Sequence, residues 1–429
     1  MLITRGYKYE LKVNNKERTL LAKCAGTARF AWNWGLANRK QRFQTQTGTA
    51  RYTDAMKQHK ELNRLKQTDF SWMYEVSKCI PQEALRDLEC AYHNFFTNLQ
   101  KRKRHQTNRR VGFPKFKKKG RCKDSFRLTG TIRAVPGTKL VQLPRLGMLR
   151  LKEKLNLPVS ARILSATVSR TADRWYVALT VEKEHPDPLP NTGPLIALDK
   201  GLTVFMALSS GILISKPKFL LRQARKQQRL SKAHSRKQKG SNNRWKATLR
   251  LARFYRKTTN QRSDFLHKTS TYLTKNHGLI VTEDLFVKGL IQNKKLSKYW
   301  ADLAHGVFQR MLAYKAPFYG SKLIEIDRWF PSSRLCSNCL YYHSNLTLID
   351  RIFHCPLCGL KLDRDVNASL NVANFYYIYQ PLIDPVAASS AETLNACGEV
   401  VRPVQKRARV EEAGRTASNL NWDHGHNCS

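Results

Sequence analysis

The first residues, MLITRGYKYELKV, alternate apolar and polar side chains and predict one strand over residues 1–13, without the hydrophobic region of a signal peptide. From residue 18 to about 100 the period lengthens to that of a helix. In PQEALRDLECAYHNFFTNLQ, Leu85, Leu88, Tyr92, Phe95 and Leu99 recur every three or four residues, and Pro81 suits the first turn. RFAWNWGLANRK reads as an amphipathic helix with Trp32 and Trp34 in the core. Between about 125 and 185 the period returns to two. ILSATVSR and RWYVALTVE flank the tripeptide TAD as an antiparallel hairpin, and KLVQLP and GMLRLK add strands enough for a small β-barrel.

PDPLPNTGP, residues 186–194, reads as a linker. After it, LIALDKGLTVFMALSSGILI predicts two strands joined at Ser209–Gly211, with Asp199 interrupting an apolar run. The stretch from Lys216 to Lys257 predicts two helices around Gly240–Asn243. GLIVTEDL predicts a short strand ending at Glu283. LDRDVNASLNVAN predicts a helix opened by Asp363 or Asp365, with an apolar face through Val366, Leu370 and Ala373. From about Pro381 the periodicity is lost, which predicts a poorly ordered tail. No internal repeat is visible, and no apolar run approaches the roughly twenty residues of a membrane span.

Charge changes this picture most. The 429 residues, enough for two or three domains, carry 77 Lys and Arg against 31 Asp and Glu, a net charge of +46. Such a surface repels itself unless a polyanion neutralises it, so nucleic acid is the expected partner and a membrane is not. The densest strip, KRKRHQTNRRVGFPKFKKKGR, is punctuated by Phe113 and Phe116, which can stack on bases while cations follow the backbone. Lys101, Arg102, Lys103, Arg104, Arg109, Arg110, Lys115 and Lys117 are its expected contacts, with Arg244 and Lys246 from the second basic stretch.

Four of the ten cysteines form Cys336-x2-Cys339-x15-Cys355-x2-Cys358, the spacing of a zinc ribbon. Four thiolates fill a zinc tetrahedron, so that metal is structural. The other six have no disulfide-framework spacing, as suits a reducing compartment.

The acids complete the constellation. Asp199 in a buried-strand pattern is costly unless it is paired or binds a cation. Taken alone, it reads as a strand-end turn, Glu283 as a helix cap, and one of Asp363 and Asp365 as another cap. Together they are three carboxylates at element ends that a sheet with helices can bring to one mouth. Clustered carboxylates cannot all stay ionised without cations between them, and hard oxygen ligands favour Mg²⁺. Two such ions would suit phosphodiester hydrolysis. The order Asp…Glu…Asp matches the RuvC branch of the RNase H-like fold.

With these motifs the sequence resembles the TnpB family, the OrfB-type proteins of bacterial insertion sequences from which type V CRISPR effectors derive. The likeness runs from RFAWNWGLANRK through RWYVALTVE, IALDKGL, KQKGSNNRWKATLRLARFYRK and RSDFLHKTSTYLTKNHGLIVTEDL to FPSSRLCSNC, HCPLCG, LDRDVNASLNVAN and NACGEVVRP. It implies an RNA-guided, Mg²⁺-dependent DNA endonuclease in the bacterial cytoplasm, associated with the nucleoid. Its guide RNA would come from the transposon end, and its target DNA would carry a short adjacent motif. Asp199, Glu283 and Asp365 are then the catalytic acids, with the second aspartate of LDRDVNA favoured over Asp363.

The implied architecture is a multi-domain α/β protein. A β-barrel (1–13 and 122–190) is interrupted by a helical recognition domain (14–121). A RuvC-like nuclease (191–330 and 360–380) carries a zinc-ribbon insert (331–359), and the tail spans 381–429. The chain departs from the family's common form at Lys200, at Leu340 (where glycine often follows the second cysteine) and at Ser369. The competing readings are a nuclease-inactive RNA-guided repressor, whose expected mark is lost acids, and a transposase or its accessory.

Overall fold

The N-terminal strand β1 (Leu2–Glu10) lies along the whole of β7 (Arg174–Glu184), with Leu2 opposite Glu184 and Glu10 opposite Tyr176. This is a computed structural model; it describes residues 2–105, 111–158, 161–347 and 349–383. The tail expected from 381 lies outside the described residues from 384 on, and the helix before it continues to Ile383. The described chain divides into two compact units, one ending at Asp187 and the other starting at Pro188.

In the first unit, β1 is followed by α1 (Asn15–Thr45), α2 (Ala55–Thr68) and α3 (Cys79–Lys103). Asn14 and Glu17 form a reciprocal capping box that fixes where α1 begins. Its buried face, with Leu21, Cys24, Ala28, Ala31, Trp32 and Leu36, keeps helical spacing. Gly35 lets α3 come close, since a Cβ there would stand 2.5 Å from Leu85 Cδ2.

The strands follow as β2 (Ser125–Leu128), β3 (Arg133–Ala134), β4 (Leu140–Leu143), β5 (Gly147–Arg150) and β6 (Arg162–Thr171), then β7. Trp175, Val177, Leu179 and Val181 alternate inward along β7, as the period of two predicts. The strands form two antiparallel sheets, ordered β1-β7-β6-β2 and β3-β4-β5, over one apolar core. A bridge between Leu11 and Leu151 joins them at one corner, and among the described residues no continuous ladder closes them into a barrel.

The second unit opens with a segment that is tied down rather than loose. Asn191 Nδ2 donates to the carbonyls of Thr274 and Lys275 and to Ser321 Oγ. Then come β8 (Leu195–Asp199), β9 (Met206–Leu208), β10 (Leu213–Ile214), α4 (Ala224–Ser235) and α5 (Asn242–Asn276). The two strands expected before the basic stretch are thus three, because the chain breaks after Asp199; the turn at Ser209–Gly211 joins β9 to β10. Next are β11 (Leu279–Glu283), α6 (Val287–Gln292), α7 (Ser297–Leu303), α8 (His305–Phe318) and β12 (Lys322–Ile326). The small strands β13 (Ile352–His354) and β14 (Lys361–Asp363) precede α9 (Arg364–Ile383).

The five-stranded sheet runs β10-β9-β8-β11-β12, antiparallel as far as β8 and parallel from β8 to β12. β8 and β11 are buried on both faces, so each reads as an apolar run. Ile196, Leu198 and Ile280 pack with residues of α5, α7 and α8, including Leu273, Leu303 and Phe308. Ala197, Val281 and Ile326 pack on the other side with Val372 and Ala373 of α9.

Candidate active site

Register brings the first two acids together. β8 and β11 are parallel with Leu198 opposite Thr282, so Asp199 and Glu283 come next on adjacent strands, at their C-terminal ends. Side chains alternate along a strand, so both acids share the face of Ala197 and Val281, where α9 packs. The third acid opens α9 there. Gly201, two residues beyond Asp199, lies so near Asp365 that an added Cβ would stand 3.9 Å from Asp365 Oδ2.

The two aspartates of LDRDVNA have separate tasks. Asp363 Oδ1 accepts from the amides of Asp365 and Val366, at 2.9 and 3.2 Å, and so caps α9. Asp365, in the first helical turn, keeps its carboxylate free of that role. Which of the two caps the helix is thus answered: it is Asp363.

The electrostatics show uncompensated negative charge. Burial, then the neighbouring Glu283 and Asp365, push Asp199 well above the usual carboxylate range. Burial also raises Glu283, against the pull of a hydrogen bond from Ser332 and the charge of Lys200. Asp365 is raised by burial and by Asp363 beside it. Ser332 Oγ donates to Glu283 Oε1 at 2.5 Å and fixes its rotamer, a contact that sequence reasoning missed. Lys200 turns to the other face of the sheet. Its Nζ reaches the Glu283 carbonyl oxygen at 2.8 Å and Gln309 Oε1 at 2.9 Å, and burial lowers it to about 8.

Raised carboxylates of this kind fit a hard divalent cation, which would supply the missing positive charge. They do not form a closed cage. Among the described residues, only the four cysteines form a set of three or more such ligand atoms within 4.8 Å of one another. A wider acid set suits Mg²⁺, which retains water ligands.

A pH dependence follows for metal-free protein. A carboxyl raised in the folded state favours folding at low pH, and that contribution is lost as pH rises through its folded pKa. Buried His305, lowered to about 4, acts in the opposite sense between there and its ordinary 6.5, so the comparison must be with Asp199→Asn, where His305 is unchanged. The variant should melt higher than the parent at pH 8, with the gap shrinking toward pH 5. Added Mg²⁺ should stabilise the parent more as pH rises, because its ligands must be ionised. Parallel melting curves for the two proteins across that range would contradict the clustered-acid picture.

The four-cysteine clip abuts this site. Cys336 Sγ lies 3.5 Å from Cys358 Sγ, and Cys339 Sγ lies 3.5 Å from Cys355 Sγ. A tetrahedral zinc with bonds of about 2.3 Å has sulfur–sulfur edges of about 3.8 Å, so the four thiolates fit it. Two equivalent knuckles hold them. The Leu340 amide donates to the Cys336 carbonyl and the Gly359 amide to the Cys355 carbonyl, each at 3.0 Å. Both residues are left-handed, with φ of 61° at Leu340 and 73° at Gly359, which explains why glycine is usual at the first position. Leu340→Gly should therefore stabilise the ribbon by about 1 kcal/mol and delay zinc release to a chelator. Faster release would contradict this account.

The ribbon also extends past its expected end at 359. β13 pairs with β14, so the ribbon hairpin runs to Asp363 and delivers the cap of α9 directly. Three asparagines then lace α9 to the ribbon's first arm. Asn367 and Asn371 donate to the Leu335 carbonyl, Asn371 also to that of Ser332, and Asn374 to that of Ser337. The buried face of α9 is accordingly Asn367, Ala368, Asn371 and Val372. Of the expected Val366, Leu370 and Ala373, only Ala373 is buried.

The basic residues divide. Lys101, Arg102, Lys103 and Arg104 are exposed at the end of α3, and Lys115 and Lys246 are exposed as well; Arg109 and Arg110 lie outside the described residues. Lys117 instead packs its Nζ 3.7 Å from the Trp32 ring centroid, while its backbone pairs with Asn33. Arg244 spends its guanidinium on the carbonyls of His234 and Lys237, closing the turn between α4 and α5. These two are engaged in contacts within the chain and are half-exposed. Phe113 and Phe116 remain 40% and 46% exposed, beneath the Lys40 ammonium.

Comparison with known proteins follows the same elements. A family model described as "Probable transposase" (OrfB_IS605) matches residues 178–294, and one described as "Cas12f1-like, TNB domain" matches 305–372. A Streptomyces pristinaespiralis protein named "Putative RNA-guided DNA endonuclease" is 33% identical over 95% of this chain and 94% of its own. The chain belongs to the TnpB (OrfB-type) family. The Escherichia coli TnpB-family relative named "Putative RNA-guided DNA endonuclease InsQ" is 27% identical, over 93% of this chain and 95% of its own. A solved Cas12f1–sgRNA–target DNA complex is similar at a TM-score of 0.49 and 12% identity, covering 87% of this chain and 99% of that one. A third model, described as "Helix-turn-helix domain", matches residues 1–48. In this TnpB-family chain that segment holds one strand and one long helix, without a second helix across a turn.

Proposed function

We propose that this TnpB-family protein is an RNA-guided DNA endonuclease that hydrolyses phosphodiester bonds of target DNA at Asp199, Glu283 and Asp365 in a RuvC-like domain. The observation that carries the reading is the convergence of the three acids. Two end adjacent parallel strands on one face, the third opens the helix packed on that face, and together they raise Asp199. The mouth beyond the carboxyl ends of parallel strands is where such sheets bind ligands. Mg²⁺, when bound, would supply an activated water and a Lewis acid for the leaving oxygen. The chain's own part is to hold the ligands: Ser332 orients Glu283, Lys200 anchors the end of β11, and Asp363 sets the first turn that carries Asp365.

The five-stranded mixed sheet covered by helices on both faces supports assigning 191–330 and 360–380 to the nuclease, with the zinc ribbon between. The names of the relatives support guidance by RNA, and we propose that this RNA comes from the transposon end. The charge of +46 supports a polyanionic partner, and the exposed cations at the end of α3 and on the α4–α5 hairpin are its nearest contacts. Within the first unit, an open groove of about 1120 Å³ between α2 and β3–β5 suits reading the short adjacent DNA motif. Its lining includes Asn63, Lys66, Thr129, Thr131, Gln142 and Arg145, the donor and acceptor types that read base edges. The alternative of a nuclease-inactive repressor gains no support, since all three acids are present and clustered.

Sequencing the RNA that copurifies with the protein tests this reading. A structured RNA from DNA flanking the gene, ending in a variable guide, is expected. Sequence-specific cutting by RNase-treated, RNA-free protein would leave an ordinary DNA nuclease instead.

A further inference from the structure

The loop after β12 carries a tryptophan that the fold does not use. Trp329 is 84% exposed, the most open of the tryptophans in the described residues, and an indole left in water forgoes a large apolar burial. The loop beneath it is held on every side. The Arg328 guanidinium pairs with Asp284 and lies 5.5 Å from the centroid of the Phe286 ring, which is itself 53% exposed. The Trp329 amide donates to Asp327 Oδ1 at 2.7 Å. Phe330 turns inward, with its ring centroid 4.7 Å from that of Phe375 on α9. Ser332 closes the loop by donating to Glu283.

The exposed indole thus stands on a tied-down loop at the acid mouth. Glu283 and Ile326 are opposite each other at the ends of β11 and β12, so residues 284–286 and 327–332 leave the sheet side by side. Ser332 follows Trp329 by three positions, so their Cα atoms are at most about 10 Å apart. A base of a strand whose phosphate reached Glu283 would come within reach of the indole. Aromatic faces accept any base.

We infer that Trp329 is a stacking platform for an unpaired nucleobase of the strand being cut, adjacent to the scissile phosphate. The inference rests on the nuclease reading for which strand it holds, but the stacking itself can be observed without cleavage. The direct test is photocrosslinking of the full-length protein, in Ca²⁺, to a single-stranded DNA carrying 5-iododeoxyuridine, with adducts mapped by mass spectrometry. An adduct on the Trp329 peptide is expected, and adducts confined to other residues would overturn the inference. In Mg²⁺, Trp329→Ala should cut about tenfold or more slowly, and Trp329→Phe should stay within a few fold of the parent. An abasic nucleotide at the stacked position should slow the parent by a similar factor and slow Trp329→Ala no further. Wild-type rates in Trp329→Ala, or an abasic penalty undiminished in that variant, would also overturn it. A Trp329 adduct on a parent protein that never cuts would keep the platform and refute the nuclease reading.

Discussion

Asp199→Ala, Glu283→Ala and Asp365→Ala should each lower DNA cleavage by about a thousandfold or more, since bound metal contributes several kcal/mol of transition-state stabilisation and about 1.4 kcal/mol is a factor of ten. Target binding should be nearly unchanged, because it rests on base pairing and on cations distributed over the surface. Asp363→Ala is the informative control. It removes the cap of α9, worth about 1 kcal/mol, without removing a carboxylate from the face shared by Asp199 and Glu283. It should therefore cut more slowly but measurably. A dead Asp363→Ala beside an active Asp365→Ala would reverse the assignment within LDRDVNA.

Loss of the zinc clip should act on the same acids from a distance. The ribbon's core is small: Cys336, Phe353 and Cys355 are buried, with Cys339, Leu346 and Leu360 packed against them. A cluster of that size does not hold a fold without metal. Cys336→Ser or Cys358→Ser should release zinc and loosen β13 and β14. That frees three connections at once: the Asp363 cap, the asparagine bonds from α9 to residues 332–337, and the Ser332 hydroxyl on Glu283. Cleavage should fall about 10- to 100-fold, as when outer partners of a metal ligand are removed, while RNA binding persists. Parental cutting rates in zinc-free protein would show that the ribbon does not position the acids. Iron rather than zinc in the purified protein would overturn the ribbon assignment itself.

The contacts that join clip and acids, rather than their closeness, are the part of the site least legible in the sequence. Asp199 and Glu283 were visible because each ends an apolar strand, and an acid in that place demands an explanation. The four cysteines were visible by spacing alone. Asn367, Asn371 and Asn374 were not, because hydrophobic periodicity has no signal for a polar face buried against backbone carbonyls; it pointed to Val366 and Leu370 instead. Ser332 was hidden for a related reason, since a hydroxyl's partner 49 residues away is set by tertiary packing. Charge runs also do not show which cations pack within the chain. Lys117 and Arg244 sit in basic stretches, yet a tryptophan ring and two helix-end carbonyls take their charges. Lys200 beside the first acid gave no hint that its ammonium would anchor the neighbouring strand.

The central claim joins a cutting site to a borrowed address. The most direct measurement reconstitutes the purified protein with its copurifying RNA, replaces only the guide segment, and maps the cut ends on DNA that contains both the old and the new target. The account predicts that the cut moves to the new target, requires Mg²⁺, and disappears in Asp199→Ala for either guide. A cut that stays at the old site after the guide is exchanged would contradict it.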